Sequence, residues 1–385
     1  MSTLELRLVG ARVLTPDGMA EQPIALGNGL VLEDKHLREV DLSGFLVLPG
    51  IVDAHGDGFE RHLAPRRGAM KDLDQGLIAA EAELAANGIT TATLAQFYSW
   101  EGGMRGPEFA TRVFDGLAEI QSRVETDLRV QLRFEIPMLE DYDAVAELIE
   151  KYQIGYVVFN DHLPHDALEK GKRPPRLTGQ ALRIGRNPEK HLEMMQAMHA
   201  RSAEVGPAVD HLCAKLSGRG ILMGSHDDRN AEQRRDWRDR GVAIAEFPET
   251  LEAADAARSG GDAIIMGAPN IVRGGSHNGN VSAIEMVMMG LVDALASDYH
   301  YPSLRRAAFL LADSGVVDLA GAWSLISSEP ARVLGLTDRG ELSPGKRADM
   351  TVMDAATRRV AATISGGRIS YMSGDVATRF IGYSI

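Results

Sequence analysis

The chain has 385 residues, 44% hydrophobic and 25% charged, a composition typical of globular proteins and not of disordered or fibrous ones. The formal net charge of −13 argues against general nucleic-acid binding, because affinity for phosphate backbones comes from lysine and arginine. A single cysteine, Cys213, a polar N-terminus and the lack of an apolar run long enough to cross a bilayer predict a cytoplasmic protein without a membrane partner.

Both ends of the chain contain short apolar runs separated by turn motifs. Residues 4–48 include the turn signals Pro16–Gly18 and Gly27–Gly29, and the last forty or so residues show the same alternation. This pattern is typical of small antiparallel strands. We therefore predict that residues 1–48 and 340–385 pair into one small β-sandwich domain.

The middle of the chain, residues 49–339, alternates strand-like and helix-like segments, as parallel sheets with crossover helices do. Eight strand-like segments predict an α/β fold with a (β/α)8 barrel of the TIM type, and helical stretches such as 75–86 and 251–259 separate them. The long connection at about 163–219 is predicted to be an insertion, either a lid or binding loop or a solvated surface loop. The predicted strands are 49–55, 88–95, 129–136, 155–161, 220–226, 242–247, 262–267 and 293–298.

Polar side chains that suit metal binding follow most of these strands, at the end of a barrel that carries the chemistry. His55 and Asp57 follow the first strand, and residues i and i+2 of a strand point the same way, so this pair could hold one cation. Histidine and carboxylate are ligands of zinc, manganese and iron. The candidate metal ligands are His55, Asp57, Glu135, His162 and His226, and other strand-end residues include Glu246, Asn270 and Asp298.

These assignments have structural alternatives. His55 could be a satisfied histidine beside a glycine turn, Glu135 could pair with Arg133, and His162 could cap a helix or orient substrate. Whether Glu246 is a ligand stays open. Asp227 and Asp228 are interpreted as partners that hold the ring of His226 in one tautomer. Three other histidines lie on charged helical stretches and are predicted at the surface: His191, His199 and His211.

A metal ion at these strand ends would support hydrolysis. A bound divalent ion lowers the pKa of water from about 15.7 to near 7. Asp298 is predicted to take the remaining proton and return it to a leaving group. The alternative for Asp298 is a helix N-cap together with Ser297. The predicted reaction is therefore hydrolysis of a carbonyl or phosphoryl centre.

Two motifs carry a family resemblance that covers the whole chain. Leu48–His55, which enters the predicted barrel, and Gly340–Asp349, which leaves it, resemble the amidohydrolase superfamily. More narrowly, inner segments resemble the diphosphatases of the carbon–phosphorus lyase pathway. These segments are 224–228, 244–254, 266–280 and 297–299.

The resemblance implies a hydrolase with one or two divalent ions, zinc first and manganese or iron as alternatives. It implies the same ligand set, Asp298 as proton shuttle, and cleavage of a phosphoanhydride of ribose 1-methylphosphonate 5-triphosphate to release pyrophosphate. A triphosphate needs cations and amide donors. The candidate substrate-binding residues are Arg61, His62, Arg66, Arg67, Asn270, Arg273, Ser276 and His277. Because superfamily relatives often pair, a homodimer is a further expectation.

Other functions stay open. The alternatives are an amidohydrolase that cleaves a C–N bond, such as an N-acyl deacetylase, deaminase or cyclic amidase, and a catalytically silent scaffold. The chain has glycine at Gly56 and Gly58, where the family pattern is His-Thr-Asp-Asn, and Arg67 where a Pro-Arg-Pro is expected. Substrate identity therefore stays open, and the Arg66–Arg67 pair could be a solvated turn.

Overall fold

Strands and helices alternate along most of the chain. The computed structural model of the protein describes residues 3–33, 35–64, 72–274 and 281–382. The strands in these ranges are β1 (Leu6–Val9), β2 (Arg12–Thr15), β3 (Gly18–Glu21), β4 (Ile24–Gly27), β5 (Leu30–Leu32), β6 (Glu39–Asp41), β7 (Phe45–Pro49), β8 (Ile51–Gly56), β9 (Ile89–Tyr98), β10 (Asp127–Glu135), β11 (Tyr156–Asn160), β12 (Leu222–His226), β13 (Ile244–Glu246), β14 (Ala263–Gly267), β15 (Ala294–Ala296), β16 (Met350–Asp354), β17 (Val360–Ser365) and β18 (Arg368–Met372).

The helices of the described ranges are mostly short. None of them combines the length and apolarity that crossing a bilayer requires. They are α1 (Glu60–Leu63), α2 (Leu73–Ala86), α3 (Pro107–Ile120), α4 (Tyr142–Lys151), α5 (His165–Glu169), α6 (Leu177–Arg183), α7 (Pro188–Ala200), α8 (Ser202–Ser217), α9 (Ala231–Asp239), α10 (Leu251–Gly260), α11 (Ala268–Arg273), α12 (Ala283–Met288), α13 (Ser303–Asp313), α14 (Leu319–Ser324), α15 (Ser328–Val333) and α16 (Asp375–Ile381).

Eight parallel strands, β8 to β15, form one sheet in the order in which they follow in the chain. The sheet nearly closes into a barrel because β15 leads back to β8, where Gly56 and Asp298 form a parallel bridge. All ten residues of β9 are buried, as expected for a parallel strand with both faces covered. The predicted (β/α)8 barrel is therefore confirmed.

The chain divides into two compact units. The first consists of residues 1–94, 119–129 and 263–385, and the second of residues 95–118 and 130–262. Strands β14, β15, β8 and the first parts of β9 and β10 lie in the first unit, and the rest of β9 and β10 with β11 to β13 lie in the second.

The first unit also contains the two small sheets. One has the order β5-β4-β1-β6, and the other has the order β18-β17-β16-β7-β2-β3 and so combines strands from both chain ends. Their apolar side chains, among them Leu8, Val47 and Met350, share one core. Asn28 and Gly29 connect β4 to β5 with φ values of 54° and 79°, as a two-residue hairpin requires. The predicted β-sandwich from both chain ends is confirmed, while its boundaries stay a prediction.

The connection between β11 and β12, in the second unit, folds into helices α5 to α8. Helix α7 begins at Pro188, and the side chain of Asn187 accepts hydrogen bonds from the first turn. His191, one turn from Met195 on α7, is fully buried and lies 5.7 Å from the ring of Trp100, centroid to centroid. The predicted surface position of His191 was wrong, because this face of α7 packs against the rest of the unit. Cys213 is buried on α8.

Candidate active site

Glu135 and His162, at the ends of β10 and β11 in the second unit, form a close pair. Glu135 is fully buried. Its Oε1 contacts His162 Nδ1, and its Oε2 accepts the backbone N–H of His162 at 3.0 Å. Although burial acts the other way, the Glu135 carboxylate raises the pKa of His162 above its ordinary value. Because Glu135 holds Nδ1, the other ring nitrogen, Nε2, is the atom of His162 that could bind a metal ion.

His226, at the end of β12, has a partner at each ring nitrogen. Nδ1 lies 3.2 Å from Glu246 Oε2, and Nε2 lies 2.9 Å from an Arg133 guanidinium nitrogen. A guanidinium can only donate, so we assign the ring proton to Nδ1 and a lone pair to Nε2. Burial lowers the pKa of His226, which favours this neutral form. In this tautomer Nε2 could bind a metal ion in place of Arg133.

Glu246 connects His226 to the interior of the second unit. It is fully buried at the end of β13, and its Oε1 accepts hydrogen bonds from Gln131 and from the hydroxyl of Tyr156, each at 2.6 Å. Its second oxygen contacts His226 Nδ1. Glu246 is therefore a hydrogen-bond acceptor that fixes the orientation of a candidate ligand.

The two aspartates after β12 do not have the role predicted for them. Glu246, and not Asp227 or Asp228, contacts Nδ1 of His226. Asp228 is buried and accepts hydrogen bonds from Ser225 and Arg234, while the Asp227 carboxylate lies 3.7 Å from His226 Nε2. Asp227 has a φ of 60°, a left-handed conformation uncommon outside glycine.

Replacing Glu246 with glutamine is expected to weaken binding of a divalent metal by roughly 10–100-fold, the range found when an orienting partner of a ligand is lost. The amide keeps the shape of the side chain but can donate as well as accept a hydrogen bond, so the tautomer of His226 is no longer fixed. Metal titration of chelator-treated protein measures the effect. Glu232→Gln, at an exposed position of α9, is the matched control. Equal metal affinity in Glu246→Gln and the wild type would contradict the assignment.

In the first unit, backbone hydrogen bonds bring His55, Asp57 and Asp298 together. The amide of Asp298 donates to the carbonyl of His55 at 3.0 Å, and the amide of Asp57 donates to the carbonyl of Asp298 at 2.9 Å. His55 is fully buried. Asp298 has a φ of 55°, and left-handed backbone of this kind is enriched at functional sites. Residues predicted from two separate motifs therefore lie together.

Asp53 is a site residue that the sequence analysis missed. It is buried, and its two carboxylate oxygens accept hydrogen bonds from the amide of Ser297 at 2.9 Å and from its hydroxyl at 2.5 Å. Burial raises the pKa of Asp53 to about 6, although the bonds from Ser297 oppose the shift. The signal was its spacing, because Asp53 stands two residues before His55, as Asp57 stands two residues after it. Through these hydrogen bonds Asp53 connects β8 to Ser297, the residue before Asp298.

The space around Gly56 and Gly58 explains why the chain has glycine at both positions. A Cβ atom at Gly56 would lie 2.8 Å from both Asp53 Oδ2 and Ser297 Oγ, closer than side chains normally approach. A Cβ atom at Gly58 would lie 3.3 Å from Cζ of Tyr301. The volume that larger residues would need is therefore filled by neighbouring side chains.

Arg61 and His62, predicted to bind substrate, both contact Glu83 on α2. An Arg61 guanidinium nitrogen meets Glu83 Oε1, and His62 Nε2 lies 2.6 Å from Oε2. Although partial burial acts the other way, these two groups lower the pKa of Glu83. Arg61 also donates to the carbonyl of Tyr299 at 2.9 Å, and its side chain keeps 43% of its surface exposed.

Asn270 and Arg273 lie on α11. Asn270 accepts the amide of Ala283 at 3.2 Å, and the Arg273 guanidinium lies 5.9 Å from the ring centroid of Tyr299. Tyr299 follows Asp298 in the chain and is contacted by Arg61 through its carbonyl and by Arg273 at its ring. The remaining predicted substrate-binding residues lie outside the described residues: Arg66, Arg67, Ser276 and His277.

Comparison with known proteins places the chain among hydrolases. It is 33% identical over 321 residues to the alpha-D-ribose 1-methylphosphonate 5-triphosphate diphosphatase of Escherichia coli (strain K12), with 81% of this chain and 84% of the relative covered. It is 24% identical over 345 residues to an adenine deaminase of Methylobacterium nodulans, covering 86% of this chain but only 51% of the relative. No protein-family model matches the chain.

Among solved structures, the beta-aspartyl dipeptidase of Fervidobacterium islandicum AW-1 has the same fold, with a TM-score of 0.61, 15% identity, and coverage of 96% of this chain and 99% of that one. The barrel, the sandwich and the relatives together define a hydrolase of the amidohydrolase type, whose fold implies a divalent metal. Within this superfamily, the chain belongs to the family of alpha-D-ribose 1-methylphosphonate 5-triphosphate diphosphatase.

Proposed function

We propose that the enzyme hydrolyses a phosphoanhydride bond of ribose 1-methylphosphonate 5-triphosphate and releases pyrophosphate. The 33% identity to the Escherichia coli diphosphatase over 81% of the chain carries this proposal. Water would add to the first phosphorus of the triphosphate, and the bond from that phosphorus to the bridging oxygen would break. The guanidinium groups of Arg61 and Arg273 near Tyr299 support a phosphorylated substrate, because guanidinium binds phosphate well.

The proposed metal centre uses His55, Asp57, Glu135, His162 and His226, with zinc, manganese or iron as the metal and one or two ions bound. The chemistry of the donors supports this, since burial favours the neutral form of His226 and the side chain of Glu135 is buried. In a parallel barrel, the strand ends that carry these residues are also where catalytic groups collect. A bound ion would activate water and withdraw charge from the phosphoryl group.

The remaining steps belong to residues of the first unit. The Asp298 carboxylate would accept a proton from the attacking water and transfer it to the departing pyrophosphate oxygen. Arg61, His62, Asn270 and Arg273, with the predicted residues Arg66, Arg67, Ser276 and His277, would bind the triphosphate. Among the described residues, no carboxylate pairs with Arg273, so its charge is available to a phosphate.

Hydrolysis of a C–N bond is the second candidate function. The likeness to adenine deaminase favours it, although the chain spans about half of that relative. The same proton transfer by Asp298 would then serve a nitrogen leaving group. We also propose that the enzyme is a cytoplasmic homodimer, with a sandwich domain of residues 1–48 and 340–385 and a barrel of residues 49–339; light scattering of the purified protein tests the dimer.

Product analysis separates the two reactions. Metal-loaded protein is incubated with ribose 1-methylphosphonate 5-triphosphate and, in parallel, with adenine and with N-acyl amino acids and sugars. We expect pyrophosphate from the triphosphate, and loss of that activity after chelator treatment with recovery on adding metal back. Release of ammonia or amine, with no phosphorus product from the triphosphate, would reject the first function and support the second.

A further inference from the structure

A cavity of about 370 Å³ lies in the second unit. Its walls are the segments that follow β9 and β10 and one face of α7. Most of the lining is apolar, with Trp100 on one side and three methionines, Met138, Met194 and Met198, on the others. The volume falls in the range of small-molecule sites, which are largely apolar with a few polar groups.

Two polar groups of the cavity point to the chemistry of a ligand. Trp100 is only 5% exposed, and among the described residues its indole N–H has no hydrogen-bond acceptor. Buried donors are normally bonded, so this group suits an acceptor on a ligand. Arg186, which also lines the cavity, donates to the carbonyl of Trp100 at 3.2 Å and contacts Met194 Sδ at 3.3 Å. Glu140 and Asp141 also line the cavity, but Arg201 and the Tyr98 hydroxyl donate to them, whereas no carboxylate of the described chain pairs with Arg186, so the charge of Arg186 can bind an anion.

The cavity adjoins the pair formed by Glu135 and His162. The amide of Met138, which lines the cavity, donates to the carbonyl of Glu135 at 3.2 Å. Leu163 directly follows His162 and packs in one apolar cluster with Trp100. A ligand in the cavity would therefore lie close to two candidate metal ligands of the same unit.

We propose that this cavity binds the phosphonate end of the substrate, and that it prefers phosphonates whose carbon substituent is apolar and larger than methyl. The inference rests on the proposed function, in which the substrate carries a phosphonate group. Arg186 and the Trp100 N–H would bind a phosphonate oxygen. The methionines would contact an aromatic or long alkyl substituent, because thioether sulfur packs well against rings and adapts to shape. A methyl group alone would leave most of the 370 Å³ unfilled.

Calorimetric titration with benzylphosphonate and with methylphosphonate tests the cavity directly. Benzylphosphonate is expected to bind the metal-loaded enzyme at least about tenfold more tightly than methylphosphonate does, because differences in apolar contact commonly change affinity by this factor. Ala197→Trp, which fills the cavity from an exposed position of α7, should remove this preference. Trp100→Phe, which keeps a ring but loses the N–H, should weaken the binding of both phosphonates. Gln196→Trp, a neighbouring exposed position that does not line the cavity, is the matched control and should keep the wild-type preference.

Each outcome decides one proposal. Equal affinity for the two phosphonates, or an unchanged preference in Ala197→Trp, would overturn the cavity assignment. Pyrophosphate release from ribose 5-triphosphates that carry a methyl or a benzyl phosphonate is measured separately. If neither compound yields pyrophosphate while the titrations behave as expected, the proposed reaction fails and the phosphonate site stands. If both react, a higher kcat/KM for the benzyl compound that Ala197→Trp abolishes supports the two proposals together.

Discussion

Replacing Asp298 with asparagine is expected to lower kcat for pyrophosphate release by on the order of 10²–10⁴-fold, the contribution of a general acid–base group. The amide cannot accept the proton of the attacking water or return it to the leaving group. Asparagine tolerates the left-handed backbone of this position, where φ is 55°. The backbone bonds to His55 and Asp57 are therefore retained, and the variant should fold like the wild type.

The measurement compares kcat in Asp298→Asn and the wild type, with thermal unfolding recorded for both. A stable variant that keeps wild-type kcat would exclude Asp298 as the proton shuttle. Asp318→Asn is a suitable control, because residue 318 is the N-cap of α14 and both aspartate and asparagine are good N-cap residues.

Replacing Arg234 with methionine is expected to reduce the free energy of unfolding by about 3–5 kcal/mol, the effect of breaking a buried ion pair by removing one partner. Arg234 is fully buried on α9. Its guanidinium contacts Asp228 and Asp262, each at 3.1 Å, and donates to the hydroxyl of Ser225 at 2.7 Å. Methionine would leave Asp228 without its cation in the interior.

Denaturant unfolding of Arg234→Met and of Arg235→Met gives the comparison, since Arg235 is the exposed neighbour on the same helix. Arg235→Met should change the unfolding free energy little. Burial already raises the pKa of Asp228 despite Arg234, and loss of the cation would raise it further. A carboxyl whose pKa is raised in the folded state becomes less destabilising as pH falls, so the defect of Arg234→Met should shrink at acidic pH. If Arg234→Met had the same unfolding free energy as Arg235→Met, the structural role of Arg234 would be contradicted.

Much of the architecture could be predicted from local patterns. A strand that is buried on both faces has a short, nearly continuous run of apolar residues in the sequence. The turn at Asn28 and Gly29 needs a left-handed backbone, which these two residue types adopt readily. All eight predicted barrel strands are present. The placement of His55, Asp57 and Asp298 at neighbouring strand ends followed from the same patterns, because the last strand of a closed barrel returns to the first.

The partners of these residues could not be predicted in the same way. Glu246 accepts a hydrogen bond from Gln131, 115 residues away, and another from Tyr156, 90 residues away. Sequence neighbours suggested Asp227 and Asp228 as the groups that orient His226, but β13 pairs with β12 in a register that places Glu246 opposite His226, and Glu246 contacts Nδ1 instead. Proximity along the chain is a poor guide to contact between side chains on different strands.

By itself, the sequence determined the fold class, the strand ends that carry polar side chains and the family, because apolar periodicity and short motifs are local properties of the chain. Only the tertiary structure decided the burial of His191, the tie between Asp53 and Ser297, and the cavity lined by Trp100 and the methionines of α7. Each of these depends on packing between segments that are distant in the chain. Such contacts stabilise the fold because the shapes and polar groups of two segments match each other, and the sequence of one segment alone does not show this match.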